Sequence, residues 1–244
     1  DGAKYGFPVF AMNWTDHKTN ELTEGFKEKG FLPEAFINLL AVLGWNDGTE
    51  QEIYTLEEMI ERFSIDRVHK AGAKFDFEKA KWFNHEWIKR SSASRLAPDV
   101  QEILVANNII NVDEARLLKV IDLVKDRCSL LTDFYTQAVF FFEMPKVYDE
   151  ASVKPKWDEA KKIYFEELIN KLKTENDFSV ENIEQHFKNL ATEKNSKVGE
   201  LQMILRVMLV GSKMGPGVFV IAAAIGKAAT INRIEKALAN FSTF

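Results

Sequence analysis

The chain has 244 residues, a net charge of −5, 46% hydrophobic residues and 19 Phe. That apolar content excludes wholesale disorder, and the length fits one to three modules. A single cysteine, Cys128, excludes an internal disulfide framework and a Cys-based zinc site. It suits a reducing, cytoplasmic setting. No apolar run approaches the ~18 residues needed to span a bilayer, so no membrane partner is expected. The opening DGAKYGFPVF lacks the basic start and apolar core of a signal peptide. The absent initiator Met reads as a fragment or a processed chain.

Helical signals dominate from the start. Tyr5–Trp14 is the one stretch expected to be extended. Pro33 then stands at a first helical position, with Phe36, Ile37, Leu40 and Leu43 at helical spacing and Gly44 as the stop. Thr55 and Glu58 form a capping box ahead of Met59, Ile60 and Phe63. Asp76 caps a helix carrying Phe77, Trp82, Phe83 and Trp87, an aromatic face expected in the core, with a base-stacking platform as the other reading. A new helix is expected after Pro98, with Val100, Ile103 and Leu104. A strong helix follows through Leu117, Val120, Ile121 and Val124, and a break at Asp126–Ser129 leads into Leu130, Phe134, Ala138 and Phe141.

The second half continues in the same way. Trp157, Ala160, Tyr164, Leu168 and Leu172 make an amphipathic stripe. Ser179 caps the segment with Ile183, Phe187 and Leu190. Leu201, Leu205 and Met208 come next, then the apolar run Val218–Gly226, and Thr230 stands as the expected cap for Ile231, Ile234, Leu238 and Phe241. The expected fold is all-α. Proline and charge gather near residues 89–98 and 144–156, which suggests modules at 1–92, 93–145 and 146–244.

Charge is uneven along the chain. From Leu201 to Phe244 there are five basic side chains (Arg206, Lys213, Lys227, Arg233, Lys236) against Glu235 alone, a surplus of four that leaves −9 on the first 200 residues. Either this is ordinary fluctuation between small helical modules, or RNA contact is confined to one end. The basic end also holds the least ordinary pattern: Arg206 on an apolar helix, then Gly211-Ser-Lys213-Met-Gly215-Pro216-Gly217-Val218-Phe219. No catalytic constellation accompanies it. This turn lacks the G-x-x-x-x-G-K-[ST] arrangement that cradles phosphate. The four histidines, His17, His69, His85 and His186, lack metal-ligand spacing. No catalytic residue and no metal site is expected.

Four blocks in register resemble bacterial-type glutamyl-tRNA synthetases, which are class I aminoacyl-tRNA synthetases. They are Asp1-Gly2-Ala3-Lys4-Tyr5-Gly6, Gly30-Phe31-Leu32-Pro33 through Trp45, Phe75-Asp76-Phe77 through Ile88, and the Arg206–Phe219 stretch. The first is similar to residues just downstream of the family's Lys-Met-Ser-Lys-Ser ATP loop. The resemblance therefore implies that the catalytic domain, with its His-Ile-Gly-His motif, precedes this chain. It would hold ATP with Mg and glutamate, and no cofactor is expected in the chain itself.

The same resemblance implies a stem-contact helical domain at 1–92, with the tail of the ATP-loop segment at 1–16. Two anticodon-binding helical subdomains would follow at 93–145 and 146–244. Implied partners are tRNA-Glu and the chain's own N-terminal catalytic domain, and the protein would be a cytoplasmic monomer. Arg127, at the helix–helix break, resembles the arginine with which family members read an anticodon base; a guanidinium fork suits a base edge. The bland reading is an arginine satisfying helix carbonyls. The resemblance also places the counterpart of Arg206 in the anticodon site, with a solvated helix arginine as the bland reading. Gly215, Pro216 and Val218 stand at the adjoining turn, whose backbone can approach a base. Lys213 is a candidate phosphate contact or else a solvated lysine. The family often has Thr-Pro-Gly-Leu-Phe where this chain has Gly215-Pro216-Gly217-Val218-Phe219, so a threonine hydroxyl is missing while backbone contacts remain. Two alternatives stay open: a non-catalytic helical scaffold of the same ancestry, and a non-discriminating synthetase that also charges tRNA-Gln.

Overall fold

The computed structural model describes residues 8–70, 72 and 74–242. The Asp1–Gly6 block and the start of the expected extended stretch lie outside them. The all-α expectation holds: apart from one two-stranded ribbon, β1 (Trp14–Thr15) with β2 (Leu22–Thr23), regular structure among the described residues is helical. Residues 10–12 form bends rather than a strand, and the carbonyls of Phe10 and Ala11 accept from the Phe26 and Lys27 amides. No helix among the described residues is long and apolar enough to cross a membrane. The chain divides into two compact units, residues 1–136 and 137–244.

In the first unit, α1 (Phe26–Lys29) leads into α2 (Pro33–Gly44), which starts on Pro33 because proline's missing amide is an orphan in a first turn anyway. Next, α3 (Leu56–Arg62) opens on the complete capping box of Thr55 and Glu58. Asp76 caps α4 (Phe77–Arg90), accepting from the Glu78 and Lys79 amides. α4 packs on α2 around Phe26, Phe31, Leu39, Ala80 and Phe83. Trp82 departs from the expected aromatic core face. It is 40% exposed, edge-on to Phe83, because residues 80, 83, 84 and 88 make the buried face and residue 82 falls beside it.

The expected start after Pro98 is corrected by α5 (Ala93–Ala106), which carries Pro98 inside it. The Ser92 hydroxyl accepts from the Arg95 amide, and burial of Ala93, Leu96, Val100 and Leu104 on one face outweighs the lost proline donor. α6 (Glu114–Val124) packs against α5 and passes into a short 3₁₀ turn, Lys125–Arg127.

In the second unit, α7 (Asp133–Phe142) completes its last turns and is followed by α8 (Glu150–Val153), α9 (Glu159–Thr174), α10 (Val180–Glu193), α11 (Val198–Val210), α12 (Val218–Ile225) and α13 (Lys227–Phe241). Rings of Tyr164, Phe187 and Phe219 meet edge to face across α9, α10 and α12, at centroid separations of 5.4 and 5.2 Å. The expected cap at Thr230 is also corrected. α13 begins at Lys227, and Thr230 is buried in its first turns, its hydroxyl donating 3.0 Å to the Ala222 carbonyl.

Arg233 of α13 is buried at 4% exposure. It donates to three main-chain carbonyls: Leu209 at 2.6 Å, Phe140 at 2.7 Å and Glu143 at 2.8 Å. These oxygens lie at the C-terminal ends of α7 and α11, where helix dipoles are negative and carbonyls lack intrahelical partners. Arg233→Met leaves those carbonyls buried without donors and is expected to lower unfolding free energy by about 2–4 kcal/mol in urea titration. Arg233→Lys should recover little of it, since a single ammonium cannot reproduce the fork. A loss within error for Arg233→Met would show that the three contacts are energetically idle.

Candidate nucleic-acid interface

The C-terminal stretch builds a compact, self-supporting turn. α11 ends at Gly211, whose left-handed backbone lets its amide close on the Val207 carbonyl at 2.7 Å. Its carbonyl accepts from the Asp149 amide at 2.8 Å. Six residues later Gly217 sits at the N-cap of α12, with Val218 as the first helical residue. Arg206, half-buried on α11, points Nη1 at this turn and donates to the carbonyls of Met214, Gly215 and Pro216. Arg206 is thus a strut of the turn that carries Lys213, Gly215 and Pro216.

Gly215 has φ +105°, and a Cβ there would stand 3.0 Å from Phe140 Cζ and 3.3 Å from Ile221 Cδ1. Both facts disfavour a side chain, most of all a β-branched one. A threonine at 215 would therefore strain the turn in the conformation it has in this chain. Pro216 and Val218 are buried, so those two positions offer main-chain groups, not side chains, to a ligand. Lys213 is exposed, with its Nζ 3.9 Å from Asp149 Oδ2. The Ser152 hydroxyl holds the Asp149 carboxyl below its ordinary range against the opposing effect of burial, with the Ser152 amide and Lys213 adding to the lowering. An open pocket of about 430 Å³ adjoins the turn, lined by Val180, Glu184, Gln202, Arg206, Val218 and Phe219 among others.

The C-terminal charge surplus does not form an open basic face. Arg233 is buried, Arg206 braces the turn, and Lys227 Nζ donates 2.7 Å to the carbonyls of Lys173 and Glu175. Lys213 and Lys236 are the exposed basic side chains of that segment.

In the first unit, Arg127 is the last residue of the 3₁₀ turn and is exposed, whereas Cys128 beside it is wholly buried. Burial, with the Asp133 charge adding, pushes the Cys128 thiol up to about 12. It stays protonated and donates 3.5 Å to the Val124 carbonyl. Arg127 is thus set by a buried neighbour on one side and presents its guanidinium to solvent. The structure brings Arg206, Lys213, Gly215, Pro216 and Val218 together at one turn, and carries Arg127 in the other unit.

Residues 95–238 match a family model described as an anticodon binding domain. Residues 16–82 match a model described as the catalytic domain of class I tRNA synthetases (E and Q), and so extend that model into the segment read from sequence as stem-contacting. The chain belongs to the anticodon-binding-domain family of tRNA synthetases. Within it, the chain is similar to glutamate–tRNA ligases: 46% identical over 241 residues to that of Flavobacterium psychrophilum, and 42% over 238 residues to that of Phocaeicola vulgatus. Each of those alignments covers 98% of this chain and 47% of the relative.

Among solved structures it matches a glutamate tRNA ligase from Elizabethkingia meningosepticum in complex with its amino acid, with a TM-score of 0.91 at 40% identity. It also matches a glutamate-tRNA synthetase from Elizabethkingia anophelis, with a TM-score of 0.85 at 39% identity. Both cover 98% of this chain and 47% of the other. The chain spans about half the length of the curated relatives it matches.

The turn geometry sets a stability test. Gly215→Ala is expected to cost about 1–3 kcal/mol in thermal or urea unfolding, and Gly215→Thr more. A threonine variant as stable as the wild type would mean that the turn readily adopts a negative φ.

Proposed function

We propose that this chain is the tRNA-binding part of a glutamate–tRNA ligase that joins glutamate to tRNA-Glu at the expense of ATP. Residues 1–92 dock the inner stem, and the helical subdomains at 93–145 and 146–244 hold the anticodon loop. The observation that carries the reading is the anticodon-binding match over 95–238, which also favours it over a scaffold that has lost RNA binding. Arg127 reads a base edge. The braced turn supplies main-chain groups of Gly215, Pro216 and Val218, and Lys213 meets a phosphate.

Recognition of this kind is differential: a correct base satisfies fixed donors, and a wrong one leaves them unpaired in a desolvated contact. ATP with Mg and glutamate belong to a catalytic domain N-terminal to these residues. The protein is read as a cytoplasmic monomer. The 244 residues alone therefore carry out no chemistry, and glutamate-dependent ATP–pyrophosphate exchange by this chain would refute that assignment.

Filter binding of tRNA-Glu over a salt series tests the binding role, since phosphate contacts make affinity fall steeply as salt rises. Arg127→Gln is expected to weaken tRNA-Glu about 10-fold, roughly 1.4 kcal/mol, and to narrow its margin over tRNA-Gln. Equal affinity of the wild-type chain for tRNA-Glu and an unrelated tRNA would defeat anticodon reading. An unchanged margin between tRNA-Glu and tRNA-Gln in Arg127→Gln would favour the non-discriminating enzyme.

A further inference from the structure

Arg127 is exposed, yet the residues around it are not free to move. On α4, the face that buries Ala80, Phe83 and Ile88 also buries a polar side chain, Asn84, at 0% exposure. Its amide accepts from the Leu32 amide at 2.7 Å and donates to the carbonyls of Gly30 at 3.1 Å and Ser129 at 2.7 Å. The next residue, His85, has Nδ1 2.9 Å from the Cys128 carbonyl. A carbonyl only accepts, so the proton sits on Nδ1. Consecutive side chains of α4 therefore hold consecutive carbonyls, those of Cys128 and Ser129, immediately after Arg127.

The other flank is tied to the same helix. Lys125 Nζ donates 3.1 Å to the Ser91 carbonyl, at the C-cap of α4. Beyond the turn, the Ser129 and Leu130 amides both donate to Asp133 Oδ2, at 2.8 and 2.9 Å. The polar main-chain groups of 128–130 are thus fixed on both sides, and the exposed guanidinium rides on a rigid mount.

We propose that Asn84 and His85 are positioning residues for Arg127: a helix of the stem-contact segment sets the arginine that reads the anticodon. This rests on the reading of Arg127 given above. A guanidinium reads a base edge only if its fork arrives in plane, and a mount ordered before binding spares the cost of ordering it during binding. Released from α4, the turn would still present a cation to phosphate but would no longer aim it at a base.

The experiment uses the full chain and the ratio of dissociation constants for an anticodon-substituted tRNA-Glu and tRNA-Glu itself, together with the salt slope of each. His85→Phe keeps the ring and removes the donor, whereas His85→Asn restores a donor close to the place of Nδ1. His85→Phe is expected to lower the ratio about 3- to 10-fold, with His85→Asn close to wild type. The salt slope should stay unchanged, which a general loss of structure would not allow. Arg127→Gln should lower the ratio at least as far, and His85→Phe added to it should lower it no further.

A folded His85→Phe with the wild-type ratio overturns the positioning role while leaving Arg127 as reader, provided Arg127→Gln lowers the ratio. An unchanged ratio in Arg127→Gln overturns the reading itself, and the positioning role with it. Should His85→Phe unfold, His85→Leu takes its place as a smaller variant without the donor; the same drop supports the proposal and a wild-type ratio overturns it.

Discussion

A buried guanidinium that donates to three main-chain carbonyls is the constraint on which the second unit depends. Desolvating Arg233 is expensive, and the expense is met only where several oxygens converge at fixed positions. Two helix C-termini supply them: the Leu209 carbonyl of α11 on one side, and the Phe140 and Glu143 carbonyls around the end of α7 on the other. These ends carry unpaired carbonyls and partial negative charge, so helix dipoles take part of the role of a counter-ion. A hydrophobic residue of similar volume would fill the space but leave those oxygens without donors. The last turn of α11 is therefore fixed two residues before Gly211, and the turn that follows departs from a fixed point.

The same logic recurs at smaller scale in both places where RNA contact is proposed. At the C-terminal turn, Arg206 donates to the carbonyls of residues 214–216, and the exposed cation is Lys213. At the helix break, Lys125, His85, Asn84 and Asp133 hold the main chain, and Arg127 is left exposed. In each case one layer of polar side chains satisfies backbone groups and a second, exposed cation is presented from the rigid result. With this division, the two proposed contacts of a chain of net charge −5 need no broad basic face. Aim substitutes for charge density.

Much of the fold was legible because its signals are local. Pro33 at a first turn, the Thr55 and Glu58 capping box, and Asp76 and Ser179 as caps each act within three residues, and each is found where the sequence pattern put it. The misplaced starts have local causes too. Pro98 reads as a boundary, whereas the Ser92 cap and the apolar face of α5 extend the helix across it. Thr230 reads as a cap because nothing in its sequence neighbourhood announces a hydroxyl bonded to the Ala222 carbonyl.

The candidate site was legible in composition and not in organisation. Counting cations found a surplus of four at the C-terminal end, but Arg233, Arg206 and Lys227 donate to main-chain carbonyls, which carry no side-chain signature. Those of Arg233 come from residues up to 93 positions away. What the sequence did contain is a polar residue in an apolar register. Asn84 falls at helical spacing with Ala80 and Ile88, and Arg233 with Thr230 and Ala237. A polar side chain at such a position must find partners or destabilise the core, so it marks a place where separate segments of backbone are being joined. Both residues do that here, one behind each candidate contact. On the proposed reading, the positions that most constrain recognition are therefore the buried polar ones, set one layer beneath the residues a ligand would touch.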